Sequence, residues 1–119
     1  MLALACAGAS VGALAQASAG PGDAVRGKAL YEAKCNACHS VDENRVGPRH
    51  MGVLGRKAGS VKDYEYSDAL IKSNVVWTRQ NLLKWLTEPE DLIPGQRMGY
   101  RLGEAKDRAD VVAYLATLK

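Results

Sequence analysis

Three stretches of the chain place apolar residues at helical spacing, and nowhere between them does alternation run long enough to make a strand. Asp23 is positioned to cap a first helix running to about Lys34, with Val25, Leu30 and Tyr31 apolar and Gly27 leaving a gap for close approach. Thr78 can cap a second, in which Leu82, Leu83, Trp85 and Leu86 form an apolar face that Pro89 ends. The third, Glu104 to Lys119, repeats Val111, Tyr114, Leu115 and Leu118 at spacings of three and four, with Asp107, Arg108 and Asp110 on the other side. A short helical turn is expected after Ser67. Gly47-Pro48, Gly52, Gly55, Gly59 and Pro94-Gly95 break the intervening chain into loops. The pattern is that of an all-α domain with long loops, and loops that long in so small a domain need something to pack on.

The first twenty residues do not share this pattern. Met1 to Gly20 carries no charge, is mostly Ala, Leu and Gly, and ends in Ala13-Leu14-Ala15 and Ala17-Ser18-Ala19, small-residue runs that suit a secretory cleavage site. Residues 1–20 therefore read as an export signal, or otherwise as a disordered Ala-rich segment, although no Lys or Arg precedes the apolar run. A retained membrane anchor fits less well, because Ala and Gly supply little transfer energy. Residues 21–119 form the single domain. About 100 residues can build a core with little surplus, so an embedded apolar cofactor would help. The net charge of +3 and the absence of an interleaved basic and aromatic stripe argue against nucleic acid as a partner.

The chemistry concentrates in Cys35-Asn36-Ala37-Cys38-His39, in a chain with three cysteines and two histidines. Structural zinc wants four N or S ligands, but after residue 20 only Cys35, Cys38, His39 and His50 remain, and adjacent Cys38 and His39 reach one tetrahedral ion with difficulty. A thioredoxin-like thiol pair wants a βαβ setting, which the pattern lacks. Covalent haem attachment wants two thiols followed at once by a histidine, the order observed. An export signal agrees with haem attached outside the cytoplasm. His39 offers one axial ligand; His50, Met51 and Met98 are candidates for the second. Met98 lies in Pro94-Gly95-Gln96-Arg97-Met98-Gly99, among polar and glycine neighbours rather than on an apolar helix face, which weakens its reading as core filler.

With Gly22-Asp23 and Gly27-Lys28 leading into CNACH, then GPRHMGVLGRKAGS, YEYSDAL, VVWTRQNLLKWLTEP, IPGQRM and DRADVVAYL, the chain resembles the class I c-type cytochromes, in particular the cytochrome c2 and mitochondrial-like branch, over almost all of residues 22–119. The resemblance implies a cytochrome c fold of about four to five helices with long loops wrapped around one covalently bound haem c. It makes Cys35 and Cys38 the thioether anchors, His39 and Met98 the axial ligands, and the Pro48 carbonyl the acceptor for the free ring N–H of His39. Arg56, Tyr66 and Trp77 match positions that hydrogen-bond or neutralise haem propionates. Gly27 and Tyr31 would pack the first helix across the last, near Val111 and Tyr114.

The departures carry expectations of their own. His50 stands where the family often has leucine, which sets it on the His39 side and makes it a poor sixth ligand. Leu70, Trp85 and Gln96 replace an Asn, a Tyr and a Thr that hold a buried water in many relatives, leaving the Trp85 indole as the expected donor towards Met98 sulfur. Lys34, Arg97 and Arg45 would keep positive charge at the haem edge, while Glu88, Glu90 and Asp91 put acid where relatives carry lysine. Docking is then steered by positive charge with a gentler dependence on salt.

The functional expectation is a soluble, monomeric, periplasmic one-electron carrier, not an enzyme, serving a cytochrome bc1 complex, a terminal oxidase, a photosynthetic reaction centre or a periplasmic dehydrogenase. The alternative is a haem protein with a labile Met98, loosened by Gly99, that acts as a peroxidase or binds small gases.

Overall fold

The structure is a computed structural model in which residues 20–119 are described; the uncharged segment read as an export signal lies, Gly20 apart, outside the described residues. Five helices follow in order: α1 (Ala24–Lys34), α2 (Asp68–Lys72), α3 (Arg79–Thr87), α4 (Pro89–Leu92) and α5 (Ala105–Leu115). Three start where a short polar side chain meets the free N–H groups of a first turn. Asp23 accepts from the N–H of Val25 and Arg26 at 2.9 and 3.2 Å, Ser67 from Leu70 at 3.2 Å, and Thr78 from Asn81 at 3.1 Å.

Gly27 fixes how α1 meets α5. A Cβ at Gly27 would overlap the Asp110 carbonyl, so only glycine lets the two backbones touch there. Tyr31, one turn on, is 2% exposed and packs its ring on Tyr114 at 5.2 Å between centroids. The expected crossing of α1 and α5 is thus present. Val25 does not belong to it: it lies off the Gly27–Tyr31 face and is 83% exposed.

One further expectation is corrected and another is extended. Asp110 is not on a solvated face but 1% exposed, accepting from the Asp23 N–H at 2.7 Å and pairing with Arg26 at 2.5 Å and Lys106 at 3.1 Å. Its charge is tolerated at the helix crossing because three donors surround it. Pro89 ends α3 but also opens α4 as its first residue, where a missing N–H costs nothing. Glu88 serves both helices, its N–H closing α3 on Lys84 O at 3.0 Å and its carboxylate accepting from Glu90 N.

No strand occurs among the described residues; one antiparallel bridge, Lys57 to Val76, closes the loop between α1 and α3. Its flanking bonds, Gly55 N–H to Trp77 O and Trp77 N–H to Arg56 O, both 2.8 Å, hold Arg56 and Trp77 beside one another. Val53, Trp77, Leu82, Trp85, Leu86, Ile93, Leu102, Val111, Val112 and Leu115 form one buried cluster. Val53, Trp77, Leu82, Trp85, Leu86, Val111 and Leu115 of this cluster also line a cavity.

Candidate haem site

The CNACH turn leaves α1 directly. The N–H groups of Cys38 and His39 both bond Cys35 O, at 3.1 and 2.9 Å, which folds the five residues into one tight turn. Arg45 pins that turn from outside, its guanidinium donating to Asn36 O at 2.5 Å and His39 O at 3.3 Å. The sequence marks Arg45 only as positive charge at the haem edge; the structure gives it this further tie.

His39 is held from two sides. Its Nδ1 lies 2.9 Å from the Pro48 carbonyl oxygen, which assigns the proton to Nδ1 and leaves Nε2 as the free lone pair. Gly47 abuts the ring so closely that a Cβ there would overlap it. Burial lowers the His39 pKa, against the Pro48 bond that raises it and with Arg45 lowering it further, so the neutral ring, the form that ligates a metal, is favoured. The sequence marks Gly47 only as a loop breaker beside Pro48; its contact with the His39 ring is visible only in the structure. Gly47→Ala is expected to cost the holoprotein about 1–3 kcal/mol by overpacking the ring and to shift its visible spectrum away from six-coordinate low-spin haem. Denaturant unfolding and the absorption spectrum check both.

Cys35, Cys38, His39, Pro48, Arg56, Tyr66, Trp77, Trp85 and Met98 all line one cavity of about 580 Å³. Of the candidates for a second ligand, Met98 lines it; Met51 is 38% exposed and lies outside the lining. His50 lines it from behind His39, its ring stacked on the His39 ring at 4.2 Å and 23°, and its Nδ1 2.8 Å from the Tyr31 hydroxyl. That Tyr31–His50 pair was not anticipated. Burial, then His39 and Arg56, pushes the His50 pKa down to about 3, so the ring is neutral.

The walls suit a flat apolar group with an acidic end. Val53, Leu70, Leu82, Leu86, Val111 and Leu115 supply apolar surface, and polar groups sit at few points, as in ligand sites generally. Arg56 donates to Met51 O at 3.1 Å and Arg49 O at 3.0 Å, yet its Nε is buried with no partner. Burial lowers its pKa, the mark of a cation short of a counter-charge. Tyr66 accepts the Val61 N–H at 3.1 Å, which leaves its own proton free to donate. Trp85 lies tilted against Trp77, centroids 5.2 Å apart.

The competing uses of CxxCH fit poorly. Burial first, then Cys38, pushes the Cys35 thiol up to about 11, the opposite of an activated redox thiol. No three His, Cys, Asp or Glu side chains converge on a metal position among the described residues.

The cytochrome c family model matches residues 24–119. The chain belongs to the cytochrome c family. It is 46% identical to a cytochrome c2 of Rhodopila globiformis over 105 residues, covering 86% of this chain and 99% of that one. It is 42% identical to a cytochrome c of Euglena viridis over 101 residues, covering 82% and 99%. Among solved structures it is similar to cytochrome cH from Methylobacterium extorquens (TM-score 0.77, 41% identity, 81% of this chain and 99% of that one). It is likewise similar to ferricytochrome c2 from Rhodopseudomonas palustris (TM-score 0.76, 36% identity, 82% and 99%). As a cytochrome c the chain carries haem c covalently, with Cys35 and Cys38 present for the attachment, and works as an electron carrier that meets redox partners.

Proposed function

We propose that this cytochrome c is a periplasmic one-electron shuttle with His39 and Met98 as axial ligands, running between respiratory or photosynthetic membrane complexes. The observation that carries the ligand assignment is the arrangement of His39: Nδ1 on Pro48 O, ring wedged by Gly47, and Met98 lining the same cavity while His50 is stacked behind His39. The haem supplies the Fe(III)/Fe(II) couple. His39 would hold it through a neutral nitrogen and Met98 through a thioether, the apolar walls would exclude water, and Arg56, Tyr66 and Trp77 would meet propionate charge. Trp85 lines the same cavity as Met98.

Lys34 and Arg97 are exposed and line the cavity, as does Val46, which is 73% exposed. This apolar spot carries the cations Lys34 and Arg97 beside one exposed acid, Glu65, and such a mixed, mainly basic rim favours brief, orientable encounters with acidic partners. The periplasmic assignment rests on the uncharged, Ala-rich segment Met1 to Gly20; no helix among the described residues is long and apolar enough to cross a membrane. Intact mass of the secreted protein tests attachment and processing together. One haem added and residues 1–20 removed is the expected result, and full-length, haem-free protein in the cytoplasm would overturn it.

A further inference from the structure

The segment between buried Ile93 and buried Leu102 brings Met98 into the cavity lining. Its two ends are packed, but its middle is open: Pro94, Gly95 and Arg97 are exposed, and a Cβ added at Gly99 would meet nothing within 4 Å. Polar ties from α4 and its junction with α3 supplement this sparse packing. Glu90 accepts the Gly95 N–H on one carboxylate oxygen at 2.8 Å and the Gln96 side-chain N–H on the other at 3.1 Å. Glu88 pairs with Arg101 at 2.9 Å. Two acids that read in the sequence as surface charge therefore grip the loop on both sides of Met98.

The Glu90 tie also orients Gln96. A carboxylate can only accept, so Gln96 presents its N–H to Glu90 and turns Oε1 inward, where it is buried without a protein partner. The Gly95 N–H, then Gln96, hold the Glu90 carboxyl below its ordinary range, which keeps it ionised and accepting.

We propose that Glu90 is a positioning residue for the methionine ligand: by holding Gly95 and Gln96 it limits how often the loop carries Met98 out of the cavity. This rests on Met98 being the sixth ligand. An exogenous ligand such as imidazole binds only the withdrawn state, so its apparent affinity scales with that state's population.

The test is an imidazole titration of the ferric holoprotein, with the methionine-to-iron charge-transfer band followed alongside. Glu90→Ala is expected to raise apparent imidazole affinity about fivefold, the scale of two solvent-exposed charge-assisted bonds, and to lose the band at a lower temperature. Glu90→Gln, which keeps an acceptor for Gly95 but sets amide against amide at Gln96, gives a smaller rise. Asp91→Asn removes the same charge one residue on, from a side chain with no bond among the described residues, and leaves both readouts at wild-type values. The proposal is overturned if Glu90→Ala binds imidazole as the wild type does, or if Asp91→Asn matches it, which would make the effect one of net charge. A wild-type protein with no charge-transfer band would instead remove the Met98 assignment, and this inference with it.

Discussion

Met98→Ala is expected to lower the reduction potential of the holoprotein by on the order of 0.2 V, a sizeable part of the roughly 0.8 V that axial ligands span. A thioether is soft and neutral and favours ferrous iron, so its loss stabilises the ferric state. The same change leaves a ligand position without a protein donor, so the variant should bind cyanide when ferric and CO when ferrous, as a peroxidase-like haem does. Met51→Ala is the control. Met51 is exposed and outside the cavity lining, so its replacement should move neither readout. Potentiometric titration and ligand-binding spectra decide the matter, and an unchanged potential in Met98→Ala would assign the sixth ligand elsewhere.

The second large effect is on stability. Asp110→Asn is expected to destabilise the holoprotein by about 2–3 kcal/mol, the scale of lost hydrogen bonds to a buried charged group, read as a lower denaturant midpoint with little change in slope. The amide would turn a donor towards Arg26, Lys106 or the Asp23 N–H, at a carboxylate position that is 1% exposed. Burial alone would raise the Asp110 pKa, but Arg26, the Asp23 N–H and Lys106 together hold it below the ordinary aspartate range. A depressed folded value means the contribution is complete above the unfolded value and disappears as pH falls through the folded one. The gap between wild type and Asp110→Asn should therefore stay constant at neutral pH and narrow in acid below pH 3.8. A gap that widened in acid would contradict this account of Asp110.

Asp110 also shows where sequence pattern stops being informative. Charge on a helix normally marks the solvated face, and only the close approach at Gly27 brings Arg26 and the Asp23 N–H over to enclose it. Periodicity and capping did locate α1, α3 and α5, because Asp23 and Thr78 are local signals acting within one turn. The last helix stops at Leu115, short of the expected Lys119. Pro89 was legible as a stop but not as a start, since the two roles differ only in what the residue before it caps.

The site was legible for a different reason. CNACH is a covalent attachment signal that few folds use, and the nine residues expected at the haem, Pro48 and Met98 among them, line one cavity. The missed contributors act through space. Gly47 matters for the ring it touches, Tyr31 for the histidine behind His39, and Arg45 and Glu90 for backbone groups in neighbouring loops. None has a spacing that betrays its partner. Glu88 and Glu90 read as part of an acidic patch because charge is visible in sequence and hydrogen-bond direction is not.

The most direct test of a histidine–methionine haem carrier is the ferric spectrum of the purified holoprotein at neutral pH. The account predicts a methionine-to-iron charge-transfer band that disappears in Met98→Ala and persists in Met51→Ala. A ferric protein without that band, or one that keeps it in Met98→Ala, would contradict it.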